Sequence, residues 1–352
     1  MNKKYIYIGW DIGGAHTKYT ISSNNSVKSV SYIVPLQLWK SLDPLKELIN
    51  DIHDKYNMSY TIINGFTMSG EMCDIFTNRE EGVKKILSLF NRSLSKNYIY
   101  TSKYGIIPIK KYINYEYIAS MNWHIIAYYL KDFYKNIIAI DTGSTTTDIM
   151  LIKNNKCINQ RVDDHSGLKS TELMYTGILR TPIFSVVKYI SFNRQKYYLI
   201  PEYYATMADI YRVLGVIEPK EDYSATADGR SKSQLNTFIR ISRSLGFDYT
   251  SKYKKLILGL ARKIMSEHLH QISYNIHGHV IKRFSDKKDL KFIGMGIGRN
   301  IIKKICKKNS WDYADLTSLI YRSHSRNKND PSISSPSFLL SLLLKEKYEH
   351  KK

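Results

Sequence analysis

The feature that most constrains this chain is that it repeats itself. Ile8-Gly9-Trp10-Asp11-Ile12-Gly13-Gly14-Ala15-His16-Thr17-Lys18 aligns without gaps on Ile138-Ala139-Ile140-Asp141-Thr142-Gly143-Ser144-Thr145-Thr146-Thr147-Asp148. The offset from Asp11 to Asp141 is 130 residues. Each copy is an apolar run ending in Asp, then one residue, a Gly, a small residue, and a Thr-bearing stretch of strand character. That pattern predicts two β-hairpins with glycine-rich turns, each with a carboxylate at the end of its first strand. One hairpin in each half makes a two-lobed protein, with the paired loops expected to face a single cleft.

A length of 352 residues is too great for one ordinary core, so two domains are expected. The first lobe is read as residues 1–133. The second is read as 134–352, with a mostly helical insertion at about 163–250. Helical spacing recurs at 44–56, 79–91, 115–131 and 251–277, and strands at 60–66, 98–101 and 290–293. Strands interleaved with helices give an α/β fold class.

Hydrophobic residues at 43% and charged residues at 24% fit a soluble globular chain. No apolar run approaches the ~20 residues that span a bilayer. The run 338–344 reads as a buried helix, and Gly9 and Asp11 interrupt what would be a signal-peptide core. Cys73, Cys157 and Cys306 follow no metal or disulfide spacing, so a reducing cytoplasm is expected. The net charge of +22 accompanies abundant Lys, Asn, Ile and Tyr, which share A/T-rich codons. It reads as a solvated lysine surface, even at the Lys303, Lys304, Lys307, Lys308 cluster, rather than as a nucleic-acid or membrane interface. Nothing in the sequence fixes an oligomeric state.

Gly13, Gly14 and Gly143 let backbone N–H groups turn toward an anion. His16, Thr17, Ser144, Thr145, Thr146 and Thr147 add side-chain donors, and Lys18 an ammonium. Asp11, Asp141 and Asp148 are hard oxygen ligands suited to Mg²⁺, which takes one or two carboxylates plus substrate phosphates. Gly294, Gly296 and Gly298 follow a strand near the chain end. They read either as a tight strand-to-helix turn or as a wall for a flat group, and they lack the βαβ context of a dinucleotide site. The remaining histidines, among them His268, His270, His277 and His279, have no metal spacing and read as surface.

This set resembles the actin-like ATPase superfamily of sugar kinases and heat-shock ATPases, whose two RNase-H-like lobes surround a central cleft. Within it the two loops look like the hydantoinase/oxoprolinase branch. Ser69-Gly70-Glu71-Met72, Asn78-Arg79-Glu80-Glu81-Gly82-Val83 and Tyr175-Thr176-Gly177-Ile178-Leu179-Arg180-Thr181-Pro182 narrow it further. So do Ala205-Thr206-Met207-Ala208-Asp209 and Thr226-Ala227-Asp228-Gly229-Arg230-Ser231-Lys232-Ser233. In order along nearly the whole chain, they resemble the tetrahydromethanopterin-linked C1-transfer pathway proteins, which include a methanofuran-biosynthesis enzyme. One departure is Ser144, where many members of the branch carry a second glycine; it argues against carrying over ATP hydrolysis.

The resemblance implies a condensation of a phenolic amine with an aminomethylfuran-methyl diphosphate, giving an aryl ether and pyrophosphate. Mg²⁺ is the implied cofactor, and ATP is not required. Lys18 and Asp148 would serve the leaving group, and Asp209 and Asp228 would take the phenol proton or bind metal. Glu71, Arg180, Arg230 and Lys232 would bind substrate, the basic ones through phosphate or carboxylate. The competing readings are an ATP-dependent hydantoinase/oxoprolinase or kinase reaction, and a non-catalytic nucleotide-binding regulator.

Overall fold

The computed structural model describes residues 4–24, 26–90, 96–111, 114–219, 221–284, 289–323 and 330–349. By internal contacts the chain divides into two units. One comprises residues 1–139, 150–166 and 314–352, and the other residues 140–149 and 167–313.

The first sheet holds β1 (Tyr5–Ile12), β2 (His16–Ser23), β3 (Ser26–Pro35), β4 (Thr61–Met68), β5 (Lys96–Thr101) and β6 (Gly105–Pro108), in the order β3-β2-β1-β4-β5-β6. Pairs β1–β2 and β2–β3 are antiparallel, whereas β1–β4 and β4–β5 are parallel. Parallel neighbours need a crossover. The helices Asp43–Tyr56 and Arg79–Ser88 supply them. Pro44 opens the first of these, where its missing N–H costs nothing, and Leu45, Ile49 and Ile52 line its buried face. Asn78 caps the second by accepting from the Glu81 amide at 2.9 Å.

The helix Ser335–Glu349 lies against β1, β2 and β4. Phe338, Leu339, Leu340 and Leu344 are buried there, each worth about 1.5–3 kcal/mol on full burial. The apolar run read from the sequence is thus a buried helix. Its serines face a polar seam: Ser337 Oγ meets Thr20 Oγ1 at 3.1 Å, and Ser341 Oγ meets Ser22 Oγ at 2.9 Å.

The second sheet holds β7 (Asn136–Thr142), β8 (Thr147–Lys153), β9 (Lys156–Cys157), β10 (Leu173–Met174), β13 (Leu290–Met295) and β14 (Tyr313–Asp315). Its order is β10-β8-β7-β13-β14, with β9 on β8. Counting the main-path strands from β1 and from β7, with the short β9 left aside, both sheets run third, second, first, fourth, fifth. That shared order is the RNase-H-like one the sequence resemblance implied, and the fold class is α/β.

The stretch 163–250 carries helices and also a hairpin, β11 (Tyr189–Phe192) with β12 (Gln195–Tyr198). Asn193 and Arg194, both at positive φ, form its two-residue turn. Tyr189 and Phe192 before that turn and Tyr197 and Tyr198 after it are the β-type residues that a helical reading overlooks. The helix Lys254–Asn275 buries Ile257, Leu260, Ala261, Ile264, His268 and Ile272. In the helix Arg299–Lys308 the isoleucines turn inward while Lys303, Lys304, Lys307 and Lys308 are exposed, a solvated face. Among the described residues no helix is long and apolar enough to cross a membrane.

Candidate active site

The two repeated turns are built alike. In the first, the Gly13 amide donates to the His16 carbonyl at 3.1 Å. In the second, the Gly143 amide donates to the Thr146 carbonyl at 2.9 Å, at the same offset of 130 residues. The strand that follows on the other side of the sheet also reaches both. Ser69 donates to Ile12 at 2.9 Å, and Gly298 donates to Thr142 at 2.8 Å.

In the first loop the carbonyls of Gly14 and Ala15 accept the amides of Leu38 (3.0 Å) and Leu36 (3.1 Å). The scaffold thus occupies the loop's acceptors, while the amides of Gly14 and Ala15 take no part in these bonds. Such a turn presents donors to an anion. Strand register sets Lys18 directly opposite Asp11. Asp11 is buried at 6% exposure, while His16 and Lys18 are partly exposed. Thr17 is fully buried, so its hydroxyl belongs to the interior.

The second loop is clamped more tightly. Its carbonyls at Gly143, Ser144 and Thr145 accept the amides of Ile178 (3.1 Å), Leu179 and Arg180 (3.1 and 2.9 Å), and Gly177 (2.9 Å). The amides of Ser144, Thr145 and Thr146 enter none of these bonds. Gly177 is required by proximity, since a Cβ there would sit 2.4 Å from the Thr145 nitrogen. Ser144, Thr145 and Thr146 are partly exposed, and the Arg180 guanidinium stands 3.5 Å from Thr145 Oγ1. Thr147 is fully buried, with its hydroxyl on the Thr176 carbonyl at 3.2 Å.

Carboxylates flank this donor set. Thr146 Oγ1 donates to Asp148 Oδ2 at 2.8 Å. Asp141 packs against Gly296, whose φ is +80° and whose Cβ would lie 2.4 Å from Asp141 Oδ1. Gly294 and Gly298 are crowded in the same way, by the Tyr313 phenol and the Thr142 methyl. All three glycines are therefore in contact with groups of this chain. Among the described residues no three or more His, Cys, Asp or Glu side chains gather as a ready cation site. Asp141 and Asp148 are hard oxygen donors of the kind Mg²⁺ takes beside substrate phosphates and water.

Asp209, Asp228 and Lys232 belong to a separate buried network. Asp209 Oδ1 accepts from Arg240 Nε at 2.8 Å and from Arg212 Nη2, and its Oδ2 accepts the Thr206 amide at 3.1 Å in a capping box. Burial pushes the Asp209 carboxyl above its ordinary value, against the pull of both guanidiniums. Asp228 accepts from Arg240 Nη1 at 3.0 Å. There burial works upward too, but the Arg230 amide and the guanidiniums hold the carboxyl below its usual range. Arg212 also pairs with Asp222, and Lys232 reaches the Asp222 carbonyl. Arg230 is exposed. Sequence reading passed over Arg240 and Arg212; Arg240 and Asp209 are 31 positions apart, with no local sign of their pairing.

Glu71 sits in a short turn after β4, fully buried. Its Oε1 accepts from Ser120 Oγ at 2.8 Å and lies 3.4 Å from Arg79 Nη2. Burial raises its carboxyl, and Ser120 and Arg79 pull it back only in part.

His268, read as surface from the sequence, is fully buried; His270, His277 and His279 are exposed. Its Nε2 lies 2.9 Å from the Thr176 carbonyl, which can only accept, so Nε2 carries the proton and Nδ1 accepts from Tyr211 at 2.6 Å. Burial pushes its pKa from 6.5 down to about 4. The folded state therefore refuses a proton that the unfolded chain accepts. Its contribution is full above 6.5 and lost as pH falls through about 4, with an amplitude of about 3 kcal/mol. Denaturant unfolding across that range is expected to show the fall. His268→Gln should shrink it; an unchanged slope would remove His268 as its source.

The hydantoinase/oxoprolinase family model matches residues 63–311. The (4-{4-[2-(gamma-L-glutamylamino)ethyl]phenoxymethyl}furan-2-yl)methanamine synthase of Methanocaldococcus jannaschii is 29% identical over 352 residues, covering 98% of this chain and 99% of that one. A protein of the same name from Methanococcus vannielii is 32% identical over 223 residues, covering 62% of this chain and 94% of its own. Among solved structures, component A of the Acidaminococcus fermentans (R)-2-hydroxyglutaryl-CoA dehydratase overlaps 96% of this chain at 9% identity and a TM-score of 0.43. That overlap adds nothing to the fold read from strand order. Because that family match covers well over half of the chain, the second loop included, the chain belongs to the hydantoinase/oxoprolinase family.

Proposed function

We propose that this protein is a synthase of methanofuran-type cofactor biosynthesis, joining a phenol to a furan through an ether and releasing pyrophosphate. The observation that carries the reading is the likeness to the Methanocaldococcus jannaschii synthase, which runs through 98% of this chain. The donor-rich second loop supports it, because the group it would hold is an anion. In the reaction the furfuryl C–O bond to diphosphate breaks and pyrophosphate departs with the electron pair. The phenol oxygen bonds to that carbon and its proton is released.

The chain's part is to hold the diphosphate and oppose its growing charge. The amides of Ser144, Thr145 and Thr146, the hydroxyls of Ser144 and Thr145, and Arg180 would do so at the second loop. Lys18 brings an ammonium to the first. Mg²⁺, when bound, would neutralise phosphate charge, and Asp141 and Asp148 would hold it. Asp209 has both oxygens engaged by its own network and acts as a positioning residue. Asp228 accepts from Arg240 in the same network and is a second positioning carboxylate there.

The test is reconstitution. Purified protein given the furan diphosphate, γ-glutamyltyramine and Mg²⁺ should release one pyrophosphate per ether formed, without nucleotide. Asp148→Asn should lower turnover by about 100-fold while leaving thermal unfolding in place. Ether formation that depends on ATP consumption, or no ether at all, would sink the reading.

A further inference from the structure

The first unit contains a cavity of about 560 Å³ that is not lined by the glycine loops, a size suited to a small molecule. Its walls include Tyr115, Tyr117 and Trp123, two arginines, Arg79 and Arg161, and two carboxylates, Asp163 and the exposed Glu116, which accepts from Asn114 at 3.0 Å. Arg161 is almost wholly enclosed. Its guanidinium lies over the Trp123 ring at 5.2 Å, and Nη2 pairs with Asp164 at 3.0 Å. Arg79 keeps about a quarter of its side chain exposed, and Asp163 more than a third. These two charges stand 3.9 Å apart.

Both are held in place from behind. Arg79 Nη2 donates to Ser120 Oγ at 2.7 Å and lies against the buried Glu71. Ser166 donates to Asp163 through its amide at 2.8 Å and its hydroxyl at 2.5 Å, which keeps that carboxyl below its ordinary range. Two buried donors on the walls, Arg79 Nε and the Trp123 indole N–H, have no acceptor among the described residues. The cavity thus combines aromatic faces with a fixed cation and a fixed anion, each open to solvent on one side. That pattern is complementary to a molecule carrying an aromatic ring and both an ammonium and a carboxylate.

We infer that this cavity seats the phenolic substrate, with Arg79 on its carboxylate, Asp163 on its ammonium and the aromatic walls around its ring. The inference rests on the proposed function for the identity of that substrate. An aromatic zwitterion of this kind is either γ-glutamyltyramine or free tyrosine.

Calorimetric titration of the full chain, with no diphosphate present, tests it. One of the two zwitterions should bind, and the tighter of them names the source. Tyramine, which has the ring and ammonium but no carboxylate, should bind about ten-fold or more weakly. Asp163→Asn retains the turn and Arg79→Lys retains the charge. Each should weaken the zwitterion about ten-fold while leaving pyrophosphate affinity unchanged. Tyramine binding as tightly as the zwitterions, or variants that leave zwitterion affinity unaltered, would overturn the inference. So would variants that weaken pyrophosphate equally. The two claims fail separately. Zwitterion binding without ether formation removes the function and keeps the cavity. Ether formation with an unchanged KM for the phenol in Asp163→Asn removes the cavity and keeps the function.

Discussion

Gly296→Ala is expected to lower stability by about 2–4 kcal/mol and to reduce turnover at least about 100-fold. The methyl group would lie 2.4 Å from both Asp141 Oδ1 and the Thr142 carbonyl, and the residue's φ of +80° is one that L side chains rarely adopt. Neither obstacle is the far end of a flexible chain that can swing clear. The carbonyl is backbone, and the carboxylate is one the reaction is proposed to need. Thermal unfolding and a pyrophosphate-release assay on the same preparation check the two parts. A variant that unfolds at the wild-type temperature with full activity would show that the turn accommodates a side chain, contrary to this packing.

The second large effect is expected at Arg240. Its side chain is fully buried and bonds Asp209, Asp228, the Ser231 carbonyl and Thr237. Arg240→Met keeps the length and removes the charge. That leaves Asp209 enclosed with only Arg212 beside it, and the loss should be about 3–5 kcal/mol. Asp209→Asn in the same background should recover part of it, since an amide is cheaper to bury than a carboxylate. Denaturant midpoints of the two singles and the double decide the matter. Additive losses would mean that the two groups do not depend on each other.

How much of this was legible in the sequence follows from how local each feature is. The paired turns were legible because the bond from Gly13 to His16, and its counterpart from Gly143 to Thr146, joins residues three apart within one motif. The two sheets followed from them. The clamp on the second loop was half visible: Tyr175-Thr176-Gly177-Ile178-Leu179-Arg180 stood out as a segment, but its bonding to Gly143, Ser144 and Thr145 did not. The arginine network was not visible, because nothing around Arg240 distinguishes it from the many solvated basic residues of this chain. Glu71 and Ser120 meet across 49 residues, with no pattern to announce it. His268 is a different case. Ile264, His268 and Ile272 fall four residues apart on one helical stripe, and that spacing already marked the histidine as interior. Attention to metal-ligand spacing obscured it.

The seam between the C-terminal helix and the first sheet bears on the order in which the protein can be completed. Thr20 and Ser337, which bond across it, are 317 residues apart. During synthesis the first sheet therefore emerges long before the helix that covers β1, β2 and β4. Until that helix arrives, Gly9 and Gly65 lie in a bare groove, and the hydroxyls of Thr20 and Ser22 face water. The second unit, whose segments lie between residues 140 and 313, is made in the interval. A chain truncated before residue 335 should thus protect the second unit from protease while the first stays open to it.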